Sequence, residues 1–310
     1  MQATESGYLE VVFPAAARLH LPVSRDQAML LMAAVNEVML AVEIYLAHSI
    51  SGTIVPREWI PIIFGPIACV LLLAAGGLAL RNRPLATVMA NVVFVVSIAI
   101  GLLGAYFHVL RAVLPTAPAG QQVSLNLLVW APPVLGPLTF SLVGLLGISA
   151  SWIERPAGSG RLWLFGDRFV QLPYSKTRAY FFITGMGALA TVISSVLDHA
   201  RTGFVNPWLW APTAVGVFGT VVAVMLGVLD EPRRGDLLTY TGAMLLMVLV
   251  GVTGSLLHIG DDLTSEGAVV IERFIRGAPV LAPLLFTNIG AIGLLVLLNP
   301  IEEPAEVAAE

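Results

Sequence analysis

The sequence predicts an all-α integral membrane protein. Its eight transmembrane helices form four tandem helical hairpins, grouped as two four-helix halves in parallel repeat. Three observations predict this. Of 310 residues, 57% are hydrophobic and 12% charged, with mean hydropathy +0.87; a soluble domain carries about 25% charge. Apolar runs of about 20 residues, the length that crosses a bilayer core, recur along the chain. Finally, one pattern occurs four times: MLAVEIYLAH ends at His48, AIGLLGAYFH at His108, ATVISSVLDH at His199 and LVGVTGSLLH at His258.

The elements follow in order. Residues 1–25 are an N-terminal leader, mildly apolar over 11–21, that suits the membrane surface. Ser24 and Gln27 have the capping-box spacing that opens a helix. The first half, 26–156, holds helices at roughly 26–50, 58–80, 85–111 and 124–153. Residues 157–177 are an interfacial linker in which Trp163, Phe165 and Phe169 mix with Arg161 and Arg168. The second half, 178–300, holds helices at roughly 178–200, 207–229, 236–259 and 278–299. Residues 261–277 read as an acidic loop with a short surface helix, and 301–310 as an acidic, disordered tail.

The even helices share an opening and a close. Trp59-Ile-Pro61, Trp130-Ala-Pro132, Trp210-Ala-Pro212 and Gly277-Ala-Pro279 open them, and Pro84, Pro156, Pro232 and Pro300 follow their ends. Proline is tolerated inside a membrane helix because neighbours satisfy the freed carbonyls. His199 follows His48 by 151 residues and His258 follows His108 by 150, so the larger unit is two hairpins. Eleven Lys and Arg residues fall on the side of the N-terminus against five on the other. That bias places both termini in the cytoplasm of an inner-membrane protein, with the four histidines near the outer face.

Net charge −4 and a pI near 5.7 argue against nucleic acid as a partner. Cys69 is the one cysteine, which excludes an intrachain disulfide and a Cys-based iron–sulfur or zinc site. Glu5 and Glu10 stand where a signal peptide would be basic, so no cleavable signal is expected. The chain has no Walker A, H-E-x-x-H or C-x-x-C-H pattern, and Gly158-Ser-Gly160 lacks the spacing of a nucleophile elbow. A non-catalytic subunit is expected rather than a stand-alone enzyme.

Four of the five histidines occupy the one recurring position. A single His at a helix end usually sits among headgroups, but neutral imidazole is also the commonest metal ligand and an axial ligand to haem iron. His48, His108, His199 and His258 are therefore the candidate cofactor and metal ligands. Two pairs would hold two b-type haems, one pair one haem, and four converging rings a single metal ion; a chlorophyll-type pigment or no cofactor are the remaining alternatives. Ile44, Gly104, Ser195 and Gly254 lie four residues before each His, on its face. Three are small, which suits a flat macrocycle or close helix packing equally.

Glu37 sits mid-helix, about 16 Å below His48 on the same face. An ionisable residue at that depth is a functional candidate: a proton relay, or an acid bonded to a neighbour such as Asn91. Glu43, Asp198 and Asp261 stand near the imidazoles and are candidates to orient them by hydrogen bonding, with surface roles as the plainer alternative. The expected function is electron transfer through haem b, within a larger redox or photosynthetic complex and beside other membrane or periplasmic subunits. The alternative is a cofactor-free solute or ion transporter, or a scaffold subunit, centred on Glu37.

Overall fold

The computed structural model describes residues 8–15, 23–49, 52, 54–165, 168–264 and 279–298. Arg18, His20, the segment 265–277 and the tail 301–310 lie outside them. Six helices are long and apolar enough to cross a membrane: Arg25–Ser49, Pro56–Ala79, Arg83–Ala112, Lys176–Ala200, Pro207–Val228 and Arg234–Leu263. The protein is a helical membrane protein.

In chain order the helices are α1 (Tyr8–Val12), α2 (Arg25–Ser49), α3 (Trp59–Ala79), α4 (Arg83–Ala112), α5 (Leu125–Trp130), α6 (Leu135–Ser151), α7 (Lys176–Ala200), α8 (Trp210–Val228), α9 (Arg234–Thr264) and α10 (Leu284–Leu295). Short 3-10 turns at Pro56–Glu58 and Pro207–Leu209 lead into α3 and α8. The contacts between elements close a ring of α2, α3, α4 and α6, and a second ring of α7, α8, α9 and α10. The rings meet where α6 packs on α7 and α10 on α2. One apolar core joins α2, α3, α4 and α6 around Phe94 and Phe140. Another joins the second ring to α1 around Phe181, Tyr240 and Phe286.

Four expectations need correction. The helix expected over 124–153 is two helices separated by residues 131–134, because Pro132 and Pro133 lack the amides that would carry it through. The interfacial linker is not irregular: Ile153–Glu154, Arg161–Phe165 and Arg168–Gln171 form an antiparallel three-stranded sheet, so the chain is not wholly helical. α9 runs past His258 to Thr264, into the segment expected to be a loop. The last helix begins at Leu284 rather than near 278, because Pro279 and Pro283 interrupt its start. Leader residue Val12 is buried in the core of the second ring, and Leu9 N–H donates to Leu297 O at 2.7 Å.

Glycine sets the closest approaches. A Cβ on Gly144 of α6 would stand 2.6 Å from Phe94 O of α4, and one on Gly290 of α10 would stand 2.6 Å from Met244 O of α9. Small residues let membrane helices approach this closely, since packing and not water drives their association.

The rings are joined by a buried ionic cluster at the helix starts. Ser24 and Ser175 open α2 and α7, and Arg25 and Lys176 follow them. Both cations are 1% exposed. Lys176 Nζ donates to Asp26 Oδ2 at 2.6 Å and to Trp152 O at 2.5 Å. Arg25 Nη1 donates to Thr177 Oγ1 at 2.6 Å, and Tyr180 Oη to Asp26 Oδ1 at 2.9 Å.

Two predictions follow from this packing. Gly144→Ala should lower the melting temperature in detergent, since overpacking against backbone costs about 1–3 kcal/mol. Gly76→Ala, where a Cβ meets nothing within 4 Å, should not. Asp26→Asn leaves two buried cations without their carboxylate. It should destabilise by about 3–5 kcal/mol, readable as loss of folded protein in a thermal ramp.

Candidate functional site

The recurring histidines sit at one end of the two rings. His48 lies in the last turn of α2, and His108 lies just before the last turn of α4. Their ring centroids are 6.2 Å apart, with the planes tilted by 52°. His199 of α7 and His258 of α9 lie within electrostatic reach of each other. The imidazoles thus fall two to each ring, with His48 and His108 in ring contact and His199 set edge-on to Phe204 at 6.2 Å. Among the described residues no group of three or more His, Cys, Asp or Glu side chains that could hold a metal occurs.

Proline dictates how two of the rings point. In a helix the carbonyl of residue i accepts from the amide of residue i+4. Pro137 and Pro283 have no amide, so Pro133 O and Pro279 O lack that donor and accept instead a long bond from Gly136 N at 3.3 Å and from Ala282 N at 3.2 Å. His108 Nδ1 lies 2.8 Å from Pro133 O, and His258 Nδ1 lies 3.0 Å from Pro279 O. A carbonyl only accepts, so Nδ1 carries the proton in both. His48 Nδ1 donates likewise to Ile44 O at 2.8 Å. His199 Nδ1 stands 3.4 Å from Ser195 Oγ. In His48, His108 and His258 the neutral ring therefore keeps its Nε2 lone pair, the arrangement that fixes a metal-binding imidazole. Two metal–nitrogen bonds of about 2 Å each, plus two ring radii, span roughly 6 Å between centroids.

The small residues below the histidines have a different use. A Cβ on Gly104 would stand 2.7 Å from Pro137 Cβ, and one on Gly254 would stand 2.9 Å from Pro283 Cβ. Their clearance is taken up by the interrupting prolines, not held open for a macrocycle.

Neither Glu43 nor Asp198 is bonded to an imidazole in the described contacts. They face each other across the junction of α2 and α7, and Asp198 pairs with Arg201 at 3.7 Å. Arg201 also donates to Val129 O at 2.8 Å and to Ala131 O at 3.1 Å, capping the interrupted end of α5. Asp261 is exposed on the last turn of α9. The acid nearest an imidazole is Glu58, with Oε1 3.9 Å from His48 Nε2. Sequence reasoning missed it, although it directly precedes the Trp59-Ile-Pro61 opening.

Glu37 is 0% exposed inside the first ring. Its partner is not Asn91, which donates to Thr87 O and accepts from Trp152 Nε1. Ser97 Oγ of α4 lies 2.7 Å from Glu37 Oε1 and 2.9 Å from Phe140 O. One hydroxyl proton serves only one of these acceptors, so both contacts are hydrogen bonds only when Glu37 carries a proton. Shifting by the spacings that relate the histidines places Ala188 and Met247 where the first ring has Glu37 and Ser97, and both are buried and apolar.

The chain matches no family model, no curated protein and no solved structure in the comparisons made.

A protonated Glu37 has an infrared signature. The wild type should show a deuterium-sensitive carboxylic acid C=O band that Glu37→Gln removes. Glu37→Gln should retain wild-type stability, while Ser97→Ala should cost about 1–3 kcal/mol by leaving buried acceptors unmet. A wild-type spectrum identical to that of Glu37→Gln would show that Glu37 is ionised.

Proposed function

We propose that this protein is a multi-pass electron-transfer subunit that holds a haem b between each pair of histidines, His48 with His108 and His199 with His258. The observation that carries the reading is the imidazoles gathered at one end of the bundles, three of them bonded through Nδ1 to a backbone carbonyl. The 6.2 Å separation of the first pair fits a metal bound between the two rings. Haem held by side chains on facing helices is a recurrent use of four-helix bundles. The haem would supply one-electron chemistry. The protein would supply axial ligands, their tautomers and a dry surround that sets the potential.

In this reading the chain is a tandem duplication with eight membrane crossings, α6 and α10 completing the two halves. The matched contacts of Gly144 and Gly290, and of His108 and His258, support it. The basic-residue bias supports cytoplasmic termini and an inner-membrane location, with the haems near the outer face and partner redox subunits docking there.

A second reading rests on Glu37. A buried carboxyl beside Ser97 suits a proton- or ion-coupled carrier that needs no cofactor. Its mark is an uptake activity lost in Glu37→Gln from a protein with no visible absorbance.

An optical spectrum of the purified protein, oxidised and dithionite-reduced, with a pyridine haemochrome assay, separates the two. We expect a Soret band, a reduced b-type α-band and two haems per chain. His48→Ala or His108→Ala should halve the haem content and leave the second pair loaded. A featureless spectrum, or four single-His variants with unchanged spectra, would overturn the haem reading.

A further inference from the structure

Two exposed arginines stand beside the His48–His108 pair. Arg111 lies one turn past Phe107 and His108 on α4, within electrostatic reach of the His108 ring. Arg57, in the 3-10 turn that leads into α3, holds its guanidinium over the Phe107 ring at 5.3 Å. The ion pairs among the described residues include neither arginine. Glu58, the acid next to Arg57 in the chain, is engaged: its Oε2 accepts from Val55 N at 3.0 Å, and its Oε1 lies 3.9 Å from His48 Nε2.

We infer that Arg57 and Arg111 bind the propionate carboxylates of a haem held by His48 and His108. The inference rests on the haem reading above and adds what fixes the cofactor's polar edge. Haem b carries propionates along one edge, and an ionised carboxylate is too costly to leave unpaired in an apolar bundle. A guanidinium presents parallel N–H donors that match a carboxylate. The contact with Phe107 keeps one of the two guanidinium groups beside the pair.

The repeat supplies the comparison. The spacings that relate the histidines carry Arg57 onto Trp208 and Arg111 onto Asp261, and both are exposed. The second ring is thus built with an indole and a carboxylate at these places, so packing does not ask for a cation at either. Arg201, two residues past His199, is committed to Asp198, Val129 O and Ala131 O. The charge bias between the membrane sides does not account for the arginines either. By sequence, the loops at the histidine end carry only five of the 16 Lys and Arg residues.

The test uses the full chain in detergent with His199→Ala, so that only the first pair takes haem. It is titrated with haem b and with haem b dimethyl ester, in which the propionates carry no charge, and affinity is read from the Soret band. Haem b should bind more tightly than the ester by on the order of tenfold. R57Q/R111Q should bring the two affinities together while keeping the bis-imidazole spectrum. R57K/R111K should restore part of the preference, and R233Q/R234Q, at the start of α9, should leave it whole. Should the double glutamine variant fail to fold, R111Q alone, checked for an unchanged melting temperature, should still lower the preference. Should the His199→Ala chain fail to fold, the wild-type chain should show the preference at one of its two haems. Equal affinities for haem b and its ester, or a preference that survives R57Q/R111Q (or a folded R111Q), would overturn the assignment and leave the haem reading standing. A chain that takes up neither porphyrin would overturn both.

Discussion

Inside a bilayer a backbone carbonyl has no water to turn to, and each unmet one costs several kcal/mol. The chain nevertheless puts prolines at Pro132, Pro133, Pro137, Pro279 and Pro283, removing the amides that would serve the preceding turn. Much of the outer end of the structure answers that one constraint. Val129 O and Ala131 O take the guanidinium of Arg201, which ties the interrupted α5 to the far end of α7. Pro133 O and Pro279 O take the Nδ1–H groups of His108 and His258. Val280 O takes the hydroxyl of Ser255 at 2.8 Å. The interruption and its compensating donors therefore position the histidines that carry the candidate site.

The two rings share this outer architecture and differ in their middles. Where α2 and α4 hold Glu37 and Ser97, α7 and α9 hold Ala188 and Met247. Burying a carboxyl is costly even when it is hydrogen-bonded, and the apolar second ring shows that the same packing is built without one. Glu37 is thus not required by the fold, and a residue kept at an energetic cost is where function is sought. The asymmetry also makes the two His pairs inequivalent. A polar, protonatable group lies below the first pair and none at the matching place below the second, so two cofactors held there would differ in potential.

Composition and apolar run length made the membrane class legible, because lipid leaves few other solutions for such a chain. The pairing of the histidines was partly legible: the 151- and 150-residue spacings separate the halves, but only packing puts α2 beside α4 at their ends. The break at 131–134 was written in Pro132-Pro133, yet the hydropathy of the run masks it. The sheet at 153–171 was hidden because its strands are two to five residues long and lie among glycines and arginines. The junction cluster was available from the same spacing, which maps Arg25-Asp26 onto Lys176-Thr177.

Capping a freed carbonyl does not by itself call for imidazole. Ser255 meets Val280 O with a hydroxyl, and Arg201 meets two carbonyls with a guanidinium. Nor do the other two histidines have a proline-freed carbonyl to serve. His48 donates to Ile44 O, inside an unbroken helical turn whose carbonyl already has its own amide, and His199 stands beside a serine. A carbonyl beside a proline thus accounts for a donor at His108 and His258, whereas His48 has Glu58 Oε1 3.9 Å from its Nε2 and His199 sets its ring edge-on to Phe204. What the four have in common is a place at the same end of the two bundles, with His48 and His108 in ring contact. In three of them Nδ1 is also spent on a backbone carbonyl. The ligand proposed above would use Nε2, which an Nδ1–H bond to a carbonyl leaves as the ring's lone-pair nitrogen.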